Sequence, residues 1–215
     1  MKVGSVEVAL WTIGALLIVL FLGVLGWQEF ERRHQIDAFL TAQRDLPKPA
    51  PSPEQRPPQK KTPVSARLSA TTHLERVAEH SPDGVALAIL RIPAIKLVVP
   101  VNRGTGRNEL LRAAGLVTGS ALPGSNGNVA IAAHRDSFFR SLRTVAVGDV
   151  IELDSLKQTT RYRVTDMQVV EPTDVQVLAD VGEPILTLIT CYPFHYVGNA
   201  PQRFIVRAVA TDIHR

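Results

Sequence analysis

Cysteine is almost missing from this chain: Cys191 is the only one in 215 residues. A lone thiol cannot close an internal disulfide, so the fold does not depend on a redox compartment and export is compatible with the composition. No cluster of His, Cys and carboxylates has metal-ligand spacing, and no glycine-rich phosphate loop is present, so neither a metal nor any other cofactor is expected. Aromatic residues make up 6% of the chain and do not interleave with the basic ones. The net charge of +4 comes from Lys and Arg spread along the sequence, and no recognisable DNA-binding motif accompanies it. No internal repeat stands out.

Charge is missing altogether from Val8 to Trp27, a stretch rich in Leu, Ile and Val with Trp11 and Trp27 near its two ends. About 20 residues rising about 1.5 Å each span a hydrocarbon core of about 30 Å, and the tryptophans suit its interfaces. A cleaved signal peptide is the competing reading. The apolar stretch exceeds the usual h-region, however, and Gln28-Glu-Phe-Glu-Arg-Arg33 follows it in place of a small-residue cleavage site. Lys2 lies on one side and Arg32 and Arg33 on the other, so the positive-inside rule leaves the orientation open. Residues 28–44 extend the helical pattern. From Leu46 to Pro63 the chain then carries seven prolines, a semi-extended spacer too poor in apolar residues to fold. A short helical pattern follows around Ala66 to Glu79. The expected division is an amino-terminal tail (1–7), a membrane span (8–27), a membrane-proximal segment (28–83) with its Pro-rich linker (46–63), and a folded domain (84–215).

In that domain short strand-like runs recur: Ala86–Ile92, Lys96–Val101, Asn128–His134, Asp149–Leu153, Arg161–Val170, and the two period-2 runs Leu186–Cys191 and Arg203–Arg207. Pro93-Ala94, Pro123-Gly124, Asn126-Gly127 and Gly148-Asp149 punctuate them, and helical stretches are expected at Asn108–Ala113 and Phe138–Val145. Seven or eight strands with few helices predict an all-β barrel or sandwich.

Cys191 ends one alternating run and Arg203 opens the next, after a loop holding Pro193, Gly198 and Pro201. If the two runs are neighbouring antiparallel strands, these residues meet at one rim, and a fixed cation beside a thiol favours the nucleophilic thiolate. A buried structural cysteine is the bland alternative. Of six histidines, His134 ends an apolar strand and enters the turn Arg135-Asp136-Ser137, whereas His195 lies only four residues after Cys191. A partner on a separate strand end is fixed by the scaffold, as reproducible proton transfer demands. Asp136 has an equally good explanation in turn chemistry.

Thr187-Leu-Ile-Thr-Cys191, followed by Arg203, with Ala132-Ala-His134 upstream, resembles the signature elements of the sortases, membrane-anchored cysteine transpeptidases of the peptidase-type hydrolases. The resemblance covers roughly Val85 to Ala210. Thr190-Cys-Tyr-Pro-Phe194, Gly198-Asn-Ala-Pro-Gln-Arg-Phe-Ile-Val-Arg207 and His134-Arg-Asp136 are most similar to class D. The resemblance implies an eight-stranded β-barrel, single-pass anchoring in the cytoplasmic membrane, and an extracytoplasmic catalytic domain. It implies Cys191 as nucleophile, His134 as acid and base, and Arg203 as oxyanion or substrate-carbonyl donor. The implied partners are exported proteins bearing an LPxTG-like sorting signal, cut between Thr and Gly, and an amine acceptor such as a peptidoglycan precursor. Thr190, Tyr192 and Ala133 are candidate substrate-binding residues; Ala133 stands where many relatives carry Gly. Thr190 either hydrogen-bonds near the site or fills the strand. Tyr192, Phe194 and Tyr196 either line a groove or pack. The loop around Asp174–Pro184 is expected to set substrate preference. Some sortases bind calcium, but no carboxylate constellation here marks a place for it. The competing functions are another Cys/His acyl-transfer enzyme of the envelope, and an anchored β-domain whose cysteine is inert.

Overall fold

A computed structural model describes residues 4–45, 86–196 and 198–214. The Pro-rich linker and the helix expected at 66–79 lie outside them.

Helix α1 runs unbroken over Ser5–Asp45, about 60 Å at 1.5 Å per residue. Its two halves meet different surroundings. The apolar half is long and apolar enough to cross a membrane and is exposed to the protein's surroundings all along its length, with Leu16, Leu20 and Phe21 among its exposed side chains. The second half grips the folded domain. Phe39 is fully buried in a small cluster with Ala86 and Ile89, flanked by Ile36, Leu40 and Val98. Arg32 Nη1 donates to the Val98 carbonyl at 2.9 Å, and Gln43 Nε2 donates to that of Ser155 at 3.4 Å. Hydrogen bonds from Arg32 and Arg33 hold the Glu29 carboxyl down at a pKa of about 2.

The domain itself is built from β1 (Ala88–Ile92), β2 (Leu97–Arg103), α2 (Arg107–Arg112), β3 (Ala114–Leu116), β4 (Asn128–Ala132), β5 (Val150–Ser155), β6 (Thr159–Val170), β7 (Ile185–Tyr192) and β8 (Gln202–His214). The strands close into a barrel in the order β1-β2-β3-β4-β7-β8-β6-β5. Pairs β2/β3 and β4/β7 are parallel and the rest antiparallel. This is the eight-stranded barrel with short helices that the strand periodicity and the resemblance together predict.

One residue in two points inward, as the pleat requires. Leu90 and Ile92, Val99 and Val101, Val129 and Ile131, Ile151 and Leu153, Leu186 and Leu188, and Val206 and Ala208 fill the barrel. Three features depart from the sequence pattern. β3 is a three-residue strand, Ala-Gly-Leu, too short to show a period. A Cβ at Gly115 would collide with the Gly104 carbonyl oxygen, so β3 reaches its place because glycine lets two backbones approach. The stretch expected to be helical at 138–145 is a 3-10 turn over Arg140–Thr144, and another 3-10 turn, Val175–Leu178, lies in the β6–β7 connection.

Tyr162 is the largest fully buried side chain, and burial pushes its hydroxyl from 10.0 up to about 12. The neutral phenol is the form the fold accepts, so between those two values the unfolded chain gives up a proton that the folded chain keeps. Stability is therefore intact below pH 10 and falls as pH rises toward 12, by up to about 2–3 kcal/mol. Chemical denaturation of the full chain in detergent at pH 9 and pH 11 should register this loss. Tyr162→Phe should remove most of it.

Candidate active site

Cys191 lies on β7, with the parity of Thr187 and Ile189 rather than that of the core residues Leu186 and Leu188. Its side chain therefore belongs to the outer face of the barrel wall. On β8 its direct antiparallel partner is Arg203, which shares that face because it alternates with the core residue Val206 through Phe204. On the other flank, β4 pairs with β7 in parallel, with Ala132 opposite Ile189. β4 ends at Ala132, but the pairing carries on through Ala133, whose N donates to the Ile189 carbonyl at 3.2 Å, and the same register continued one residue further sets His134 opposite Cys191. His134 just past the end of β4, Cys191 on β7 and Arg203 on β8 thus stand in one row.

Two local devices hold that row. Thr190 Oγ1 donates to the Ala133 carbonyl at 2.8 Å, a buried bond, and the next residues along the two strands are Cys191 and His134. Thr190 and Ala133 are buried, the latter within the core cluster. Past His134 the chain turns: the His134 carbonyl accepts from Phe139 N at 3.1 Å, and Phe139 is fully buried. The backbone on either side of His134 is thereby held. Thr190→Val keeps the shape and leaves the Ala133 carbonyl without this donor. A loss of about 1–3 kcal/mol is expected, read as a lower unfolding midpoint, with a fall in kcat if the bond also sets the spacing of the row.

Cys191 is a free thiol and half-buried. Arg203 Nη1 donates to the carbonyls of Gln202 at 2.9 Å and Ala200 at 3.2 Å. This tether orients the guanidinium while Nε and Nη2 make no hydrogen bond among the described residues. A guanidinium cannot serve as a base, but its fork suits an oxyanion or a peptide carbonyl.

The outer face beside the row has a small-residue floor, Ala130 and Ala132 on β4, and the β6–β7 segment covers part of it. Asn128 makes this attachment: its Nδ2 donates to the carbonyls of Val177 at 3.1 Å and Ala179 at 3.3 Å, and its Oδ1 accepts from Thr187 Oγ1 at 2.8 Å. The β7–β8 loop is held by Arg135, whose Nη2 donates to the carbonyls of Tyr196 at 2.6 Å and Gly198 at 3.0 Å while its guanidinium stacks over the Tyr196 ring.

Tyr192 takes the opposite parity to Cys191. It packs with Phe194 and Phe204, ring centroids 6.0 and 6.3 Å away, and those two phenylalanines rest on the barrel core. His195 is exposed in the β7–β8 loop. Sequence reasoning did not single out Asn128 or the Arg135 clamp. The available signals were a polar residue opening an apolar strand and an arginine directly after the candidate base.

A thiol between an imidazole and a guanidinium on a scaffolded strand face defines a candidate cysteine acyl-transfer enzyme. The family model for the sortase domain matches residues 90–211, more than half of the chain, and this protein belongs to the sortase family. Sortase D of Bacillus subtilis strain 168 is 32% identical over 145 residues, covering 66% of this chain and 73% of that relative. The structure of a Clostridium perfringens sortase D5 transpeptidase is similar with a TM-score of 0.58 at 26% identity, over 66% of this chain and 89% of that one. Sortase C1 of Streptococcus agalactiae shares the fold with a TM-score of 0.65 at 21% identity, over 84% and 95% of the two chains.

Proposed function

We propose that this sortase-family protein is a membrane-anchored cysteine transpeptidase acting on exported proteins with an LPxTG-like sorting signal. The row of His134 just past β4, Cys191 on β7 and Arg203 on β8 carries this reading. The Cys191 thiolate attacks the threonine carbonyl carbon, and the tetrahedral oxygen is stabilised by the free N–H groups of Arg203. His134 protonates the leaving glycine amine as the thioester forms, then takes a proton from the incoming amine as the thioester is resolved. The product is the sorted protein joined by an amide to its acceptor at the envelope, for which a peptidoglycan-precursor amine is the reading's choice. Thr190 and Ala133 act by holding the row in register rather than by touching substrate, and the β6–β7 segment pinned by Asn128 borders the signal's path. In this reading the apolar half of α1 is a single span and the barrel stands on the outer side.

The test is intact-mass analysis of the full chain in detergent with peptides carrying Leu-Pro-x-Thr-Gly, with x scanned, in the presence and absence of triglycine. The expected result is a Cys191-linked acyl adduct that disappears on adding amine as the ligated peptide appears. Peptide consumption that gives only free acid at every triglycine concentration would point to a cysteine peptidase. No adduct with any peptide, together with a Cys191 that resists a methanethiosulfonate reagent, would favour an inert domain.

A further inference from the structure

His134 faces two spaces. Besides the outer wall it shares with Cys191, it lines a cavity of about 1160 Å³ bounded by α1, the turn before β2, α2 and the turn after β4, and neither Cys191 nor Arg203 lines that cavity. The volume admits a short peptide. Trp27, the last residue of the charge-free stretch of α1, stands on its wall, so the cavity begins where the membrane-spanning half of the helix ends.

The charges on its walls are arranged unevenly. Lys96, Arg107 and Arg112 line it, and their side chains make no hydrogen bond or ion pair among the described residues. Arg32 is already neutralised by Glu29 at 2.7 Å. Of the acids, Glu31 accepts from Gln35 Nε2, while Asp136 sits two residues from His134 on the same wall. A negative group on the same wall as the candidate base and three cationic side chains without partners elsewhere in one cavity suit a ligand with an amine at one end and an anion at the other.

We propose that this cavity admits and binds the incoming amine, and that it selects an acceptor whose far end is anionic. The proposal rests on the transpeptidase reading and adds to it the side of entry and the chemical class of acceptor. The sorting signal occupies the outer wall of β4, β7 and β8, and the acceptor reaches His134 from the α1–α2 side. From that side the neutral amine nitrogen passes His134 and attacks the thioester carbonyl carbon on the outer wall. The new C–N bond forms as the C–S bond breaks, sulfur leaves with the electron pair as the Cys191 thiolate, and the proton shed by nitrogen passes to the His134 imidazole. Asp136 draws the amine end in, and Lys96, Arg107 and Arg112 hold the carboxylate or phosphate end.

Triglycine and triglycinamide isolate the far-end charge, since they share the attacking amine. In the full chain in detergent at low salt, the acceptor KM of the amide should exceed that of the acid by about tenfold, the order expected for a few partly solvated charge contacts. The preference should shrink at 0.5 M salt and collapse to about one in the Lys96→Gln/Arg107→Gln/Arg112→Gln variant. Thioester formation with a Leu-Pro-x-Thr-Gly peptide, recorded on each preparation before amine is added, reports folding and the donor half-reaction separately. Equal KM values for acid and amide in the unsubstituted protein, or a preference that persists in the triple variant, would overturn the cavity's role while leaving the transpeptidase standing. Absence of any thioester in the unsubstituted protein would overturn the transpeptidase reading and this proposal with it.

Discussion

Cys191→Ala is expected to end acylation by the sorting signal and, with it, transfer to any amine, a fall of about 10⁴-fold or more. No other side chain in the row can replace the sulfur. Thr190 is buried and its hydroxyl is spent on the Ala133 carbonyl, Arg203 is no nucleophile, and an acyl-imidazole on His134 would leave no base for the second step. The substitution removes one half-buried atom from the outer face, away from the packed interior, so the unfolding midpoint should move by no more than a few degrees. Intact mass after incubation with the donor peptide is the direct reading: one acyl increment on the unsubstituted chain and none on the variant. An increment that survives would place the nucleophile elsewhere and remove the basis for the row. Loss of activity accompanied by a large fall in midpoint would instead make the thiol a packing residue.

Much of this arrangement was legible from residue order because the barrel obeys the period-2 rule. The runs ending at Cys191 and starting at Arg203 contained the register that makes them direct partners on β7 and β8, and Asn128–Ala133 is an apolar run that ends at His134. What the sequence left open was whatever depends on non-local pairing. β3 owes its place to β2 on one side and β4 on the other, and three residues carry no periodicity of their own. Thr190 offered two readings, and the structure gives it a hydrogen bond across a parallel pair 57 residues distant, which no local pattern encodes. The aromatic run Tyr192, Phe194 and Tyr196 also divided. Two of its members pack with Phe204 on the core, and the third lies under the Arg135 guanidinium.

The length of α1 was likewise only half visible. Residues 28–44 read as a helical extension of the span, but their polar composition gave no reason to expect Phe39 to be wholly buried against the barrel. A helix that leaves the apolar stretch without a break and then packs on β1 and β2 mounts the barrel more firmly than a proline spacer alone would. That mounting decides which side of the barrel lies nearest the apolar half of α1, and it is the side into which the His134-lined cavity opens.

Arg203→Ala should lower kcat by about 10²–10³-fold with a smaller change in KM, the pattern expected when a donor acts mainly on charge that develops in the transition state. Arg203 is the residue directly across from Cys191 on the same face, and its Nη1 is fixed by the carbonyls of Ala200 and Gln202. The rest of the fork is therefore oriented before substrate arrives, and that orientation distinguishes it from a nearby mobile cation. Arg203→Lys tests this point. It keeps the charge but loses the planar fork, so it should recover part of the lost rate and remain at least about tenfold below the parent. Because Arg203 also tethers the start of β8, unfolding midpoints and donor-peptide KM must be measured alongside. A raised KM with unchanged kcat would assign Arg203 to ground-state binding of the sorting signal. Full activity in the lysine variant would reduce its role to simple charge, and an alanine variant with normal kcat would exclude it from stabilising the oxyanion at all.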